Sequence, residues 1–181
     1  MPNIKGFSEC WGISVIHCPY CHGYEARHEP TGVIANGEAA FHYAWLISNW
    51  TKNLTVFTNG KSTLSEEQVL QLKSNNIRII ETEVSQLNHE QGQLKSISLK
   101  DDSQIPLTVI YARPEIEQHC KIPTQLGSEV NEDGFILVNQ MQQTTVDGIY
   151  AAGDNSTMMR SVAISAAAGS TAGAVINNEL T

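Results

Sequence analysis

In the first half of the chain, short apolar runs alternate with segments whose apolar residues have the spacing of a helix. A run that ends at Ala35 leads through Asn36-Gly37 into a helical pattern, and the same alternation then repeats. Strands are expected at 32–35, 54–58 and 77–80, with helices after Asn36-Gly37 and over 65–76, where Ser65 and Gln68 form a capping pattern. Strand–helix–strand–helix–strand at these lengths predicts a parallel sheet with right-handed crossovers.

The pattern changes in the second half of the chain. Short alternating segments flank turns at Gly92 and at residues 100–103, which predicts an antiparallel meander that leads to a final strand near 107–112. A loop-rich connection over 113–134 follows, then two short strands and an Ala-rich helix. The two short strands are expected at 135–138 and at a segment that ends at Ala151-Ala152. We place a boundary between two units near residue 110, in an α/β fold.

The composition and charge of the chain argue against several classes of function. The formal net charge is −8 and there is no basic run, which argues against nucleic acid or an anionic membrane surface as a partner. No segment has the roughly 20 apolar residues of a membrane helix, and the N-terminus does not resemble a signal peptide. The four cysteines include the isolated Cys10 and Cys120 and do not form a secreted disulfide pattern. We therefore expect a reducing, cytoplasmic location.

A close cysteine pair is the first candidate for chemistry. Cys18-Pro19-Tyr20-Cys21 lies between His17 and His22. A redox dithiol needs two near thiols, a positive potential and a group that moves protons, and a helix N-terminus with flanking histidines supplies these. Zinc needs four ligands, usually from a second cysteine or histidine pair, and the sequence shows no such pair. A purely structural pair is the third interpretation.

The first strand–turn–helix is a candidate nucleotide site. Its turn, residues 35–40, has Gly37 where backbone approaches a pyrophosphate, followed by a helix N-terminus. The first glycine of G-x-G-x-x-G is replaced by alanine, so this signal is weak alone. After the second strand there is no acid and one cation, Lys61, which favours NADPH over NADH slightly, with an ordinary surface turn as an equal alternative. The candidate contacts are Asn36, Gly37, Glu38, Ala39, Asn59 and Lys61.

These motifs occur together in a recognisable order. The stretch CPYCHGYE precedes the βα turn, and TTVDGIYAAGD lies near the C-terminus. In this order they resemble the thioredoxin reductase-like family of pyridine nucleotide–flavin disulfide oxidoreductases, and the branch that includes dithiol oxidases. The resemblance implies a Rossmann-like three-layer βα domain with an antiparallel β-meander, plus a partial second FAD-binding domain. Residues 1–109 would be the NAD(P)-binding-like domain with the dithiol, and 110–181 the C-terminal half of the FAD domain.

The resemblance also implies roles for individual residues. Cys21 would lie against the flavin and Cys18 would exchange with the substrate, while His22 stands where bacterial thioredoxin reductases have an aspartate proton donor. Gly153-Asp154 matches the position where an aspartate binds the flavin ribityl chain. Arg160-Ser161-Val162 opens the last helix and matches the segment whose N–H groups face the flavin ring.

The implied function is an FAD-dependent NAD(P)H:disulfide oxidoreductase, a flavoprotein with Cys18 and Cys21 as its redox-active disulfide. The substrate would be a small dithiol or a thioredoxin-like protein, and a homodimer is a family expectation. Alternatives are a dithiol oxidase that passes electrons to oxygen and a non-enzymatic nucleotide-binding module. The first FAD half should lie upstream of Cys18, so we expect this chain to be a fragment or truncated form that binds FAD weakly by itself.

Overall fold

The computed structural model describes residues 1–114 and 116–181. The chain divides into two units, Met1–Pro114 and Glu115–Thr181. The division lies a few residues after the boundary predicted near residue 110. The strand Val109–Ala112 is hydrogen-bonded inside the sheet of the first unit, so the first unit extends beyond that position. Glu115, within the predicted connection, lies outside the described residues.

The first unit contains two sheets, two longer connecting helices and two short helices. The strands, in chain order, are β1 (Val15–Ile16), β2 (Thr31–Ile34), β3 (Leu54–Phe57), β4 (Arg78–Ile80), β5 (Val84–Glu90), β6 (Gln93–Leu99), β7 (Gln104–Pro106) and β8 (Val109–Ala112). The helices of the described chain are α1 (Phe7–Cys10), α2 (Pro19–His22), α3 (Gly37–Ile47), α4 (Glu66–Ser74), α5 (Ile122–Gln125) and α6 (Val162–Leu180). A parallel sheet has the order β1-β8-β2-β3-β4, and an antiparallel sheet has the order β5-β6-β7.

The central strands β8, β2 and β3 of the parallel sheet are mostly buried. Every residue of β3 is buried, because β3 lies between β2 and β4 and is covered above and below, as is usual for parallel strands. Thr58 is also buried, directly after the strand.

Two apolar clusters show the order of the layers. One cluster lies between the parallel and antiparallel sheets and includes Phe57, Leu87, Ile97 and Ile110. The other lies between the parallel sheet and the helices, where Ala44 and other residues of α3 and α4 pack on it. The first unit therefore has three layers: helices, parallel sheet and antiparallel sheet, which confirms the predicted α/β class.

Local signals explain where the two longer helices of the first unit begin. Asn36 is the N-cap of α3, and its side chain accepts a hydrogen bond from the Gly37 N–H. Ser65 and Gln68 form the complete capping box of α4, as predicted. Each cap satisfies N–H groups that have no partner within the helix.

The N-terminal segment contributes two elements that the sequence did not predict. Strand β1 extends the parallel sheet beside β8, and α1 buries Phe7 and Cys10 in the cluster between the sheets. Gly6 has φ 82°, a conformation that glycine adopts without strain, and a Cβ there would collide with the Leu87 carbonyl. Elements of two and four residues are too short to show a hydrophobic period.

The described part of the second unit consists of α5, α6 and irregular segments. The two predicted short strands are reduced to the isolated bridges Val130↔Ile136 and Gln143↔Tyr150. These two predictions were wrong because a strand requires a neighbour along its whole length, and the described residues of this unit provide single bridge partners only. In neither described range is there a helix with the length and apolar character needed to cross a bilayer.

Candidate active site

The cysteine pair is positioned by the end of β1. This strand ends at Ile16, and Cys18 two residues later is the N-cap of α2. Pro19 occupies the first helical position, where its fixed φ suits a helix start and no N–H is needed. Cys18 and Cys21, three positions apart, therefore lie on the same side of one helical turn.

The two sulfur atoms are in contact and both cysteines are free thiols. The Cys21 thiol donates a hydrogen bond to Sγ of Cys18 at 2.6 Å, and the Cys21 backbone N–H donates to the same sulfur at 3.3 Å. The hydrogen bond to Cys18 raises the pKa of Cys21, and burial and the charge of Cys18 add to that effect. Because Cys18 accepts both bonds, the local structure favours Cys21 as the sulfur that holds the proton.

The flanking histidines differ in how firmly they are held. His17 stacks on Trp11 with ring centroids 5.9 Å apart, and its carbonyl accepts a hydrogen bond from the Tyr43 hydroxyl at 2.9 Å. His22 is exposed at the last position of α2. A proton-transfer role for His22 stays a prediction.

Two tyrosines that the sequence analysis missed lie near the pair. Tyr111 is fully buried in β8, and burial, followed by the charges of Cys18 and Glu25, raises its pKa to about 12. Burial also raises the pKa of Tyr43, partly offset by the charge of Arg113. A tyrosine within an apolar strand is typical of a core position, so no sequence signal identified Tyr111.

Gly23 fixes α2 against the body of the unit. A Cβ at this position would lie 2.6 Å from Cε2 and Nε1 of Trp50 and would also collide with the Pro19 carbonyl. Gly23 has ordinary helical φ and ψ of −64° and −35°, so the need for glycine here is steric. The close packing of Gly23 on Trp50 helps to place both sulfurs.

The predicted nucleotide turn meets the turn that follows β3. Oδ1 of Asn36 accepts hydrogen bonds from the N–H groups of Gly37 at 2.8 Å and Thr63 at 2.9 Å, and Nδ2 of Asn36 donates to the Lys61 carbonyl at 2.9 Å. The structure thus brings Asn36, Gly37 and the exposed Lys61 together. Asn59 instead accepts a hydrogen bond from the Val84 N–H at 2.8 Å.

Two side chains lie beside the glycine of this turn. Gly37 has φ 56°, and a Cβ there would lie 2.8 Å from Oγ1 of Thr63, so the chain's own Thr63 covers the glycine. Glu38 adds negative charge to the first turn of α3, where it accepts a hydrogen bond from Gln68 at 2.6 Å, and Ala39 beside it is exposed. A pyrophosphate needs the glycine backbone and a positive helix end, and both the Thr63 side chain and the Glu38 carboxylate lie at that point of this turn.

The second unit contains the other predicted cofactor contacts. Gly153 has φ 100°, and the carboxylate of the exposed Asp154 accepts a hydrogen bond from the Ser165 hydroxyl at 3.3 Å. Ser161 caps α6 by accepting from the Ile164 N–H at 3.2 Å. Val162 is 89% exposed, and the Arg160 guanidinium lies over the Phe135 ring at 5.8 Å.

These residues fit the flavin end of FAD. The Asp154 carboxylate remains accessible to sugar-alcohol hydroxyl groups, and the backbone at Gly153 leaves room beside it, since an added Cβ would meet only Ser165 atoms at ordinary contact distance. The N-terminus of α6 is exposed and favours negative charge. Elsewhere, across residues 1–114 and 116–181, no three His, Cys, Asp or Glu side chains gather to form a possible metal site.

Comparison with known proteins gives a consistent result. The model of the family described as pyridine nucleotide-disulphide oxidoreductase matches residues 1–169. The thioredoxin reductase tcpT of Claviceps purpurea is 29% identical over 190 residues, which is 99% of this chain and 59% of that protein.

Two solved structures are similar over nearly the whole chain. A protein of Bacillus anthracis assigned as a thioredoxin reductase has a TM-score of 0.90 at 29% identity, and the match covers 99% of this chain and 60% of that one. An oxidoreductase from Agrobacterium tumefaciens has a TM-score of 0.89 at 32% identity, with the same coverage of 99% and 60%. The chain therefore spans less than two thirds of the length of these relatives.

Proposed function

This chain belongs to the pyridine nucleotide-disulphide oxidoreductase family, and we propose that it carries the dithiol of an FAD-dependent disulfide oxidoreductase of the thioredoxin reductase type. The observation that carries the proposal is the contact between the sulfurs of Cys18 and Cys21 at the start of α2. Met1–Pro114 is proposed as the NAD(P)-binding-like domain, and Glu115–Thr181 as the second half of the FAD domain.

The two sulfurs have different roles in thiol–disulfide exchange. In the reducing direction the Cys18 thiolate attacks one sulfur of a substrate disulfide, and the other substrate sulfur leaves as a thiolate that takes a proton. Cys21 then gives up its proton and attacks Cys18, which releases the second substrate sulfur as a thiol. The substrate gains two electrons and two protons, and Cys18 and Cys21 become a disulfide. The exposed His22 is proposed to move protons between this pair and water.

When bound, FAD would supply the two-electron redox chemistry of the reaction. Asp154 is proposed to bind the ribityl hydroxyls beside Gly153. Arg160, Ser161 and Val162 are proposed to place the N-terminus of α6 toward the flavin ring. A small dithiol or disulfide, or a thioredoxin-like protein, is the proposed substrate, the latter supported by the name of the Claviceps purpurea relative.

A dithiol oxidase is the second candidate, and the covered nucleotide turn favours it. In this direction a substrate dithiol is oxidised to a disulfide, and its two electrons and two protons reduce oxygen to hydrogen peroxide. That reaction needs no pyridine nucleotide, and in this structure Thr63 lies over Gly37. The reductase instead needs NADPH or NADH as its electron donor. Nucleotide binding therefore distinguishes the reductase from the oxidase.

Equilibration of the reduced chain with mixtures of oxidised and reduced dithiothreitol tests the dithiol itself. Because the two sulfurs already touch, we expect two of the four cysteines to be oxidised together in one two-electron step. Peptide mass analysis should find one bond, between Cys18 and Cys21, while Cys120 remains a thiol. Oxidation that joins any other two cysteines, or leaves Cys18 and Cys21 reduced in excess oxidant, contradicts the proposed function.

Titration with NADPH and NADH tests the nucleotide turn. We expect weak binding of both to the unchanged chain, since Thr63 covers Gly37, and at least about tenfold tighter binding by Thr63→Ala, which removes the hydroxyl in the way. Fluorescence of the tryptophans follows binding. Lys61→Ala in the Thr63→Ala background should weaken the binding of NADPH more than the binding of NADH, because the 2′-phosphate of NADPH is anionic.

The same titration can contradict the interpretation of the turn. Micromolar binding of NADPH by the unchanged chain would show that Thr63 yields readily, and would favour the reductase. If Lys61→Ala reduces the affinity for NADPH and for NADH equally, Lys61 does not contact the 2′-phosphate.

A further inference from the structure

The Tyr43 hydroxyl group connects helix α3 with the residue immediately before the cysteine pair. It donates a hydrogen bond to the His17 carbonyl at 2.9 Å. Tyr43 lies within α3, and its ring packs against the apolar cluster between the parallel sheet and the helices. The bond therefore ties the segment that follows β1 to the helix layer of the first unit.

A second contact holds His17 from the opposite side of the parallel sheet. The His17 ring stacks on Trp11, with ring centroids 5.9 Å apart and 26° between the ring planes. Trp11 packs against the cluster between the two sheets and stacks on the buried Phe7, also at 5.9 Å. The side chain and the carbonyl of His17 are thus held by two different layers, which restricts the backbone at this residue.

The restricted backbone at His17 determines where Cys18 lies. Cys18 is the N-cap of α2 and has extended φ and ψ of −120° and 108°, so it joins the strand segment to the helix. Its carbonyl accepts hydrogen bonds from the N–H groups of Cys21 and His22, whereas its nitrogen is bonded to the His17 carbonyl carbon. Cys21 lies within α2 itself. The distance between the two sulfurs therefore depends on how firmly the chain is held at His17.

We propose that Tyr43 is a positioning residue for thiol–disulfide exchange, because its bond to the His17 carbonyl holds Cys18 where its sulfur can bond to Cys21. This role rests on the proposed function of the dithiol. When the internal disulfide forms, Cys18 and Cys21 each lose a proton and together give two electrons to an external disulfide, which becomes a dithiol. A backbone that is already ordered loses less conformational entropy when that sulfur–sulfur bond forms.

The hydrogen bond of Tyr43 and the internal disulfide should stabilise each other. If the hydrogen bond orders the segment for the disulfide, the disulfide orders the same segment for the hydrogen bond, and thermodynamic linkage makes the two effects equal. A hydroxyl that contributes only to overall stability would stabilise the dithiol and disulfide forms equally. A comparison of the two redox forms therefore separates a positioning role from a structural one.

Tyr43→Phe tests this role because it removes the hydroxyl and keeps the ring. In mixtures of oxidised and reduced dithiothreitol, with the Cys18–Cys21 bond quantified by peptide mass, we expect the equilibrium constant for disulfide formation to fall about fivefold. In urea, each redox form is compared with the unchanged chain in the same form. The oxidised variant should lose more stability than the reduced variant by about 1 kcal/mol, which corresponds to the same fivefold factor.

Tyr150→Phe is the matched control. The Tyr150 hydroxyl also donates a hydrogen bond, to the Glu179 carboxylate within the second unit. Its loss should leave the equilibrium constant of the Cys18–Cys21 disulfide unchanged. Any loss of stability in this variant should be equal in the two redox forms.

The outcomes separate the role of Tyr43 from the proposed function. If the unchanged chain forms the Cys18–Cys21 disulfide and Tyr43→Phe forms it with the same equilibrium constant, the role of Tyr43 is overturned and the role of the dithiol stands. An equal loss of stability in both redox forms, or a variant that does not fold, would show that the hydroxyl serves stability only. If the unchanged chain forms no such disulfide in excess oxidant, the proposed function fails, and the role of Tyr43 fails with it.

Discussion

Cys18→Ser is expected to abolish the internal disulfide and to slow reduction of an external disulfide by about a thousandfold or more, because a hydroxyl is not ionised at neutral pH. Cys18 is the sulfur that accepts two hydrogen bonds at the start of α2, so its loss removes the attacking thiolate. Thiol release from a chromogenic aromatic disulfide, followed at neutral pH, measures the effect.

Two further variants make the test specific. Cys120→Ser removes an exposed thiol of the second unit and should leave the internal disulfide intact. Cys21→Ser should trap Cys18 in a stable mixed disulfide, since the second sulfur that resolves it is gone. If Cys18→Ser forms the stable mixed disulfide and Cys21→Ser does not, the roles of the two sulfurs are reversed.

Gly23→Ala is expected to lower the free energy of unfolding of the first unit by about 1–3 kcal/mol, the usual cost of overpacking. The added methyl would lie 2.6 Å from the Trp50 ring, so either α2 or Trp50 must move. Since α2 carries Cys21, the internal disulfide should also form more slowly. Urea unfolding followed by tryptophan fluorescence measures the stability, because Trp11, Trp45 and Trp50 all belong to Met1–Pro114.

Gly169→Ala is the matched control. Gly169 lies within α6, and a Cβ there meets nothing within 4 Å. Alanine is the better helix former by about 0.5–1 kcal/mol, so this variant should leave the tryptophan transition unchanged. If both variants lose the same free energy of unfolding, the Trp50 side chain moves easily to admit a methyl group, and Gly23 does not fix α2.

The sequence was most informative where one element imposed a clear pattern. The capping box of Ser65 and Gln68, the turn at Gly92 between β5 and β6, and the repeated strand–helix alternation all occur as predicted. It was least informative for β1 and α1, which are too short to show a period. It was wrong for the strands near 135–138 and 149–152, since the pattern contains no information on their neighbours.

The site shows the same division. Cys18 and Cys21 were identified by their spacing alone, because three positions along one helical turn bring two side chains together. Tyr111 and Thr63 were missed because they are far from the motifs in sequence, by 90 residues or more for Tyr111 and by 26 from Gly37. Their proximity exists only because β8 pairs with β1 and because Asn36 binds the turn after β3.

By itself, the sequence determined the two longer helices and most strands of the first unit, the close cysteine pair and the family resemblance, since each depends on residues close together in the chain. The tertiary structure alone decided which side chain lies against Gly37 and which tyrosine hydroxyl is buried without a hydrogen-bond partner. Those features depend on distances between elements, and distances between elements arise from packing and not from local pattern.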